Sequence, residues 1–219
     1  MNRLLFEKTG KAIYISHLDT MALFPRVFLR AGLHVKFTQG MSPHAYVSIA
    51  LPLSVGMSSR CELLDFTLQE ENVSLEALPE LLNPRFPGGI RVLEAYDSDR
   101  KIKELKYLRC EVFLEYDSGI SAEQQGRITE LFEREQILVE KKTKKGLSET
   151  DIRPMIQSVS IGRIGSGELR IDTTICAQNP SLNPSLLVRA IERYLPDCTP
   201  DFSRACRTEV FDENLQIFR

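Results

Sequence analysis

The chain has three histidines, His17, His34 and His44, and all lie between Ser16 and Asp65. There ISHLDTMALFPRVFLRAG is followed by KFTQGMSPHAYVSIALPLSVGMSSRCELLDF. His17 falls in the first turn of an expected helix, where backbone N–H groups lack intrahelical partners and a ring can donate to or accept from a ligand. Such a histidine can act as general acid or base in RNA cleavage, or simply pack against the following strand. Asp19 stands two residues on. Gly40, Ser42, Pro43 and His44 form a turn whose types let backbone, hydroxyl and ring approach an anion, with Pro43 stiffening it. Arg26 and Arg30 are one helical turn apart, a spacing suited either to gripping phosphate or to a solvated face. The expectation is that the start of this helix and the Gly40 turn converge on one basic surface.

The elements that would carry these residues follow from periodicity. RLLFE at 3–7 reads as a short strand. Ser16 is an N-cap with Asp19 as a short capping-box partner. Leu18, Met21, Phe24, Val27, Phe28 and Ala31 then recur at helical spacing until Gly32, with Pro25 expected to kink the axis. LHVKFT and AYVSIALPL read as one long bent strand or a strand pair, and ELLDFTLQ as another strand. SLEALPELLNPRF gives a helix capped by Ser74, and IRVLEAY a last strand. After a charged linker, DSDRKIKE at 97–104, the theme repeats. KYLRCEVFLEYD is a strand and SAEQQGRITELFERE a helix opened by Ser121. ILVEKKTKKG leaves the sheet through a tip at Lys141, Lys142, Lys144 and Lys145. DIRPMIQSVSIGR and ELRIDTTICAQ make a hairpin around Gly165 and Gly167, NPSLLVRAIERYL is a helix, and ACRTEVF closes the set. The expected fold is α+β, with two tandem ferredoxin-like βαββαβ units at 1–98 and 104–219.

Composition narrows the function classes. Hydrophobic residues at 42% and charged residues at 26% are globular values, no apolar run approaches a membrane span, and MNRLLFEKTGKA lacks a signal-peptide core. A soluble, cytoplasmic protein with no membrane contact is expected. Cys61, Cys110, Cys176, Cys198 and Cys206 are odd in number and widely spaced, which speaks against a disulfide framework and a metal site. The net charge of −2 hides a segregation: residues 1–57 carry six basic against two acidic side chains, and residues 58–100 four against nine. A basic N-terminal surface able to meet phosphate is one consequence, and two differently solvated faces is the other.

The run ISHLD at 15–19, the helix with Arg26 and Arg30 ending in RAG, the FTQGMSPH turn, SIALPLSVG and CELLDF together resemble the radical SAM-linked protein family, a family of unknown function. Ala22 stands where an arginine is common, and Met41 and Ser42 depart from the family's usual GFNP turn. The resemblance implies a partner, a radical S-adenosylmethionine protein found beside or fused to members. Without a three-cysteine cluster motif this chain is not that enzyme itself. Three readings stay open: an accessory protein that presents an RNA substrate to the partner, a metal-independent endoribonuclease using His17, and an interaction scaffold that does not touch RNA. The ligand-binding candidates are His17, Asp19, Arg26, Arg30, Gly40, Ser42, Pro43 and His44. No residue is assigned as catalytic beyond the candidate His17, and no cofactor or metal is called for.

Overall fold

The structure, a computed structural model, describes residues 1–143 and 146–219. The side chains of the lysine-rich tip, Lys141, Lys142, Lys144 and Lys145, lie outside the described residues. The chain is mixed α+β and divides into two compact units, Met1–Glu104 with Arg219, and Leu105–Phe218. No helix among the described residues is long and apolar enough to cross a membrane.

The first unit runs β1 (Asn2–Lys8), α1 (His17–Arg30), β2 (Val47–Ile49), β3 (Ser58–Phe66), α2 (Leu78–Leu82) and β4 (Ile90–Asp97). Its strands lie in the order β4-β1-β3-β2, every pair antiparallel. Leu4 and Phe6 of β1 and Leu64 and Phe66 of β3 alternate onto one face and meet Phe24, Val27 and Phe28 of α1 in a buried core. Phe6 packs edge-on against Phe24 at 4.9 Å, and Phe28 lies 5.0 Å from Phe66. Each such side chain contributes about 1.5–3 kcal/mol by leaving water. α1 starts where Ser16 Oγ accepts the Asp19 N–H at 3.1 Å and runs through Pro25. It ends in a Schellman turn: Gly32 takes a φ of +78°, its N–H reaches the Leu29 carbonyl, and the Leu33 N–H reaches that of Phe28.

Two expectations differ from the structure. The HVKFT-to-ALPL region is neither a long strand nor a full pair: it holds the bridges Val35–Leu68 and Phe37–Ala45, and only Val47–Ile49 forms a strand. The helix at SLEALPELLNPRF shrinks to five residues between 3₁₀ turns, because Pro79 and Pro84 remove donors a longer helix would use, and Ser74 makes no side-chain cap. The charged stretch at 97–104 ends where the two units divide, after Glu104, and Arg3 anchors it.

Arg3 is fully buried. Its guanidinium makes two bonds to Asp65, at 2.6 and 3.1 Å, and donates to Ser98 Oγ at 3.0 Å and to the Arg100 carbonyl at 2.8 Å. One planar fork thus ties the first strand to the third and to the chain leaving the fourth.

The second unit runs β5 (Tyr107–Glu115), α3 (Ala122–Glu133), β6 (Leu138–Thr143), β7 (Gly146–Asp151), β8 (Ile156–Gly165), β9 (Glu168–Cys176), α4 (Ser185–Tyr194) and β10 (Phe202–Phe211). Its sheet order is β10-β5-β9-β8, again antiparallel. The β6–β7 pair is an additional hairpin between α3 and β8 that the sequence reading did not separate. α3 opens on a full capping box: Ser121 Oγ accepts the Gln124 N–H at 3.1 Å, and Gln124 Oε1 accepts the Ser121 N–H at 2.9 Å.

Two stability tests follow. Arg3→Met leaves a largely buried carboxylate without its guanidinium and is expected to lower the unfolding free energy in urea by about 3 kcal/mol or more, while the double replacement Arg3→Met, Asp65→Leu recovers most of it. A double variant no more stable than the single one would show that the pair is not what couples β1 to β3. Ser121→Ala removes one cap and should cost about 1 kcal/mol in thermal unfolding.

Candidate functional site

The candidate residues do not gather in one place. His17, half-buried at the start of α1, lines a narrow cleft with Lys8, Thr20 and Glu62, walled by Phe6, Ile49 and Leu53. His44 lines a different cleft with Thr38, Tyr46, Val47, Asp65 and Phe66. The two share no lining residue. On β3, Glu62 lines the first and Asp65 and Phe66 the second. At about 3.3 Å per residue these positions lie about 10–13 Å apart along the strand. The expected convergence on one basic surface is not found among the described residues: α1 separates its own N-terminus from the loop that follows its C-terminus.

The basic surface is also smaller than the charge count suggested. Of the six cations in residues 1–57, Arg3 and Lys8 are buried, at 0% and 2% exposure. Lys11, Arg26, Arg30 and Lys36 remain exposed. Arg26 and Arg30 sit on the outer face of α1, and no side-chain partner is found for either among the described residues. Asp19, by contrast, is occupied: Ser16 donates its hydroxyl to the Asp19 carboxylate at 2.6 Å, so this residue serves the helix start.

The Gly40 turn is an exposed, closed loop. The Thr38 N–H reaches the His44 carbonyl at 2.8 Å, and Thr38 Oγ1 accepts the His44 N–H and meets its Nδ1, both at 3.0 Å. Gly40 takes a φ of +132°, a conformation that side chains resist, and Met41, Ser42 and Pro43 face solvent. Beside the loop, Lys36, Phe37, Thr38, Gln39, Tyr46 and Gln69 line an open groove, with the rings of Phe37 and Tyr46 about half exposed. His34 is not part of it. Its Nδ1 lies 2.7 Å from Glu70, and this hydrogen bond holds the Glu70 carboxyl below the ordinary range.

Sequence reasoning missed Lys8 and Glu62. Both are buried, at 2% and 3% exposure, on the helix-facing side of β1 and β3. The Lys8 ammonium donates to the Ile15 carbonyl and feels the Glu62 carboxylate; burial pushes its pKa down, and Glu62 pulls it partly back. The signal was available: Leu4, Phe6 and Lys8 share one strand face, as do Glu62, Leu64 and Phe66, so each charge interrupts an apolar stripe. No group of three or more His, Cys, Asp or Glu among the described residues could hold a metal. Four of the five cysteines are buried, and all five are thiols outside any disulfide.

Comparison with known proteins gives a family and a fold. No curated protein matches the chain. A chain in the crystal structure of a Cbf5-Nop10-Gar1 complex is similar over 97% of this chain and 50% of its own length, with a TM-score of 0.53 and 8% identity. This chain thus spans half the length of that one, and at such identity the likeness concerns the α+β fold alone. Residues 2–184 match the family model described as an uncharacterized protein conserved in bacteria, and the chain therefore belongs to that family, DUF2344.

Proposed function

We propose that the protein is a cytoplasmic accessory factor that binds single-stranded RNA and presents it to a radical S-adenosylmethionine protein, and that it is built from two tandem ferredoxin-like units. The strand order 4-1-3-2 in each unit, with the β6–β7 hairpin as an insertion in the second, supports the fold reading. The partner rests on the resemblance carried by ISHLD, the QGMSPH turn and CELLDF. The RNA reading rests on one observation: the half-exposed rings of Phe37 and Tyr46 share a groove with the Lys36 ammonium and the amides of Gln39 and Gln69. Rings that face solvent give bases a stacking platform, and a neighbouring cation meets phosphate. Arg26 and Arg30 add two charges on α1 with no side-chain partner among the described residues.

The ribonuclease alternative has less behind it. The cavity at His17 measures about 10 Å³, room for about one water, and does not take a phosphodiester as it stands.

A fluorescent uridine dodecamer titrated with the protein tests the reading. Phe37→Ala and Tyr46→Ala should each weaken binding about tenfold or more, from the roughly 1–3 kcal/mol of stacking lost per base. Arg26→Gln with Arg30→Gln should flatten the slope of log affinity against log salt by about 1.4, since each phosphate contact contributes roughly 0.7 on single strands. Unchanged affinity in all these variants rejects RNA binding at this surface. A complex with the partner that survives nuclease treatment intact would favour the scaffold instead.

A further inference from the structure

The sheet of the second unit ends on β8, which among the described residues pairs with β9 alone. An open edge offers backbone N–H and C=O groups to any extended chain, and proteins close or blunt it. This chain does so in its first unit. At the outer edge of β4, the Asn83 side-chain carbonyl accepts the Val92 N–H at 2.8 Å and its amide donates to the Val92 carbonyl at 2.9 Å. On β8 the comparable contact is one long bond, from Gln125 Nε2 to the Ile161 carbonyl at 3.5 Å. Between the irregularities after Ile156 and Arg163, residues 158–163 hold no proline, no acid and one cation, and Val159 and Ile161 are only half-buried. A second feature lies beside that edge. Gly126 stands exposed in the middle of α3, with open space where a side chain would be, although glycine weakens a helix interior. Gln125 turns toward β8, where it also meets Arg163 Nε at 3.3 Å, and Ala122, Gly126 and Thr129 follow at helical spacing on the flank beyond it.

We propose that β8 pairs with β8 of a second copy of this chain, antiparallel about a two-fold axis at Ser160, so that the second unit's sheet runs on into that of its partner. The occupant follows from the sequence of the strand. An axis at Ser160 sets Val159 opposite Ile161 of the second copy, Ser158 opposite Gly162, and Gln157 opposite Arg163. Apolar meets apolar, the guanidinium meets an amide, and no like charges oppose. Moving the axis to Ile161 sets Arg163 opposite Val159, and moving it to Val159 sets Gln157 opposite Ile161. Val159 and Ile161 stand beside Thr173 and Ile171 of β9, which are buried, so a further strand completes a layer already begun. The same axis, normal to the sheet, lays the two α3 helices antiparallel on one face, and Ala122 and Gly126 leave room for that approach. A foreign strand would fill the edge without giving the exposed glycine a role. A strand pair alone is a small interface, and the helix contact enlarges it toward what stable dimers bury. No residue of the first unit takes part, so the inference stands apart from the RNA reading.

Sedimentation equilibrium of the whole protein in the micromolar range tests this, and a species of twice the chain's mass is expected. Ser160→Lys, at an exposed position, sets like charges against each other across the axis and should raise the dissociation constant at least tenfold, with the far-UV circular dichroism unchanged. Gly126→Gln strengthens the helix itself yet should also raise the dissociation constant at least tenfold, by filling the room between the two helices. Across the axis the two Ser160 Cα atoms stand about 4.5–5.5 Å apart, within disulfide reach. Mild oxidation of Ser160→Cys should therefore link two chains, whereas Gln157→Cys, whose copies lie several residues apart along the strands, should not. Should Ser160→Lys fold poorly, the Ser160→Cys link decides. A monomer throughout the micromolar range overturns the inference, as does a dimer that both Ser160→Lys and Gly126→Gln leave equally tight. Dimers linked as readily through Gln157→Cys as through Ser160→Cys overturn it as well.

Discussion

The buried Arg3–Asp65 ion pair is the constraint from which the first unit is built. The two residues are direct partners in the β1–β3 ladder, and both lie on the face away from α1. A slip of one residue would turn every side chain of β1 to the opposite face, so a bidentate pair that forms only in one register excludes the alternatives. The same register sets Phe6 opposite Glu62 and Lys8 opposite Ser59. An ion pair on one face of the sheet thus fixes where a second pair of charges stands on the other. Because the guanidinium also reaches Ser98 and Arg100, it orders the chain as it leaves the first unit.

The helix layer then acts as a ruler. α1 has 14 residues, about 21 Å at 1.5 Å per residue, and it is pinned to the sheet by Phe24 against Phe6 and Phe28 against Phe66. Its capped start lies by Lys8, and its Schellman end delivers Leu33 and Val35 to the far end of β3, where Val35 bridges to Leu68. The distance between the His17 cleft and the Phe37–Tyr46 groove is therefore a consequence of helix length. Features adjacent in sequence are held apart because a rigid element runs between them.

That is also why the sequence was legible in some respects and not in others. Ser16, Asp19 and Gly32 announce α1 through local chemistry, and the structure realises each of them in a hydrogen bond or a positive φ. Likewise Ser121 and Gln124 announce α3. Local signals are weaker on which cations are buried. Lys8 shows itself only by interrupting the stripe of Leu4 and Phe6, and Arg3 looks like an ordinary surface residue in NRLLFEK until tertiary partners as distant in sequence as Asp65 and Ser98 take it out of the basic surface. The QGMSPH turn was visible as a turn, but its exposed neighbours Phe37 and Tyr46 were read as strand residues, since alternation cannot distinguish a ring facing a core from one facing solvent.

Charge and apolar packing share the face under α1. Lys8 and Glu62 interrupt its apolar stripe and cost stability there, and that cost is carried by the aromatic core under α1 and by the Arg3 fork on the opposite face.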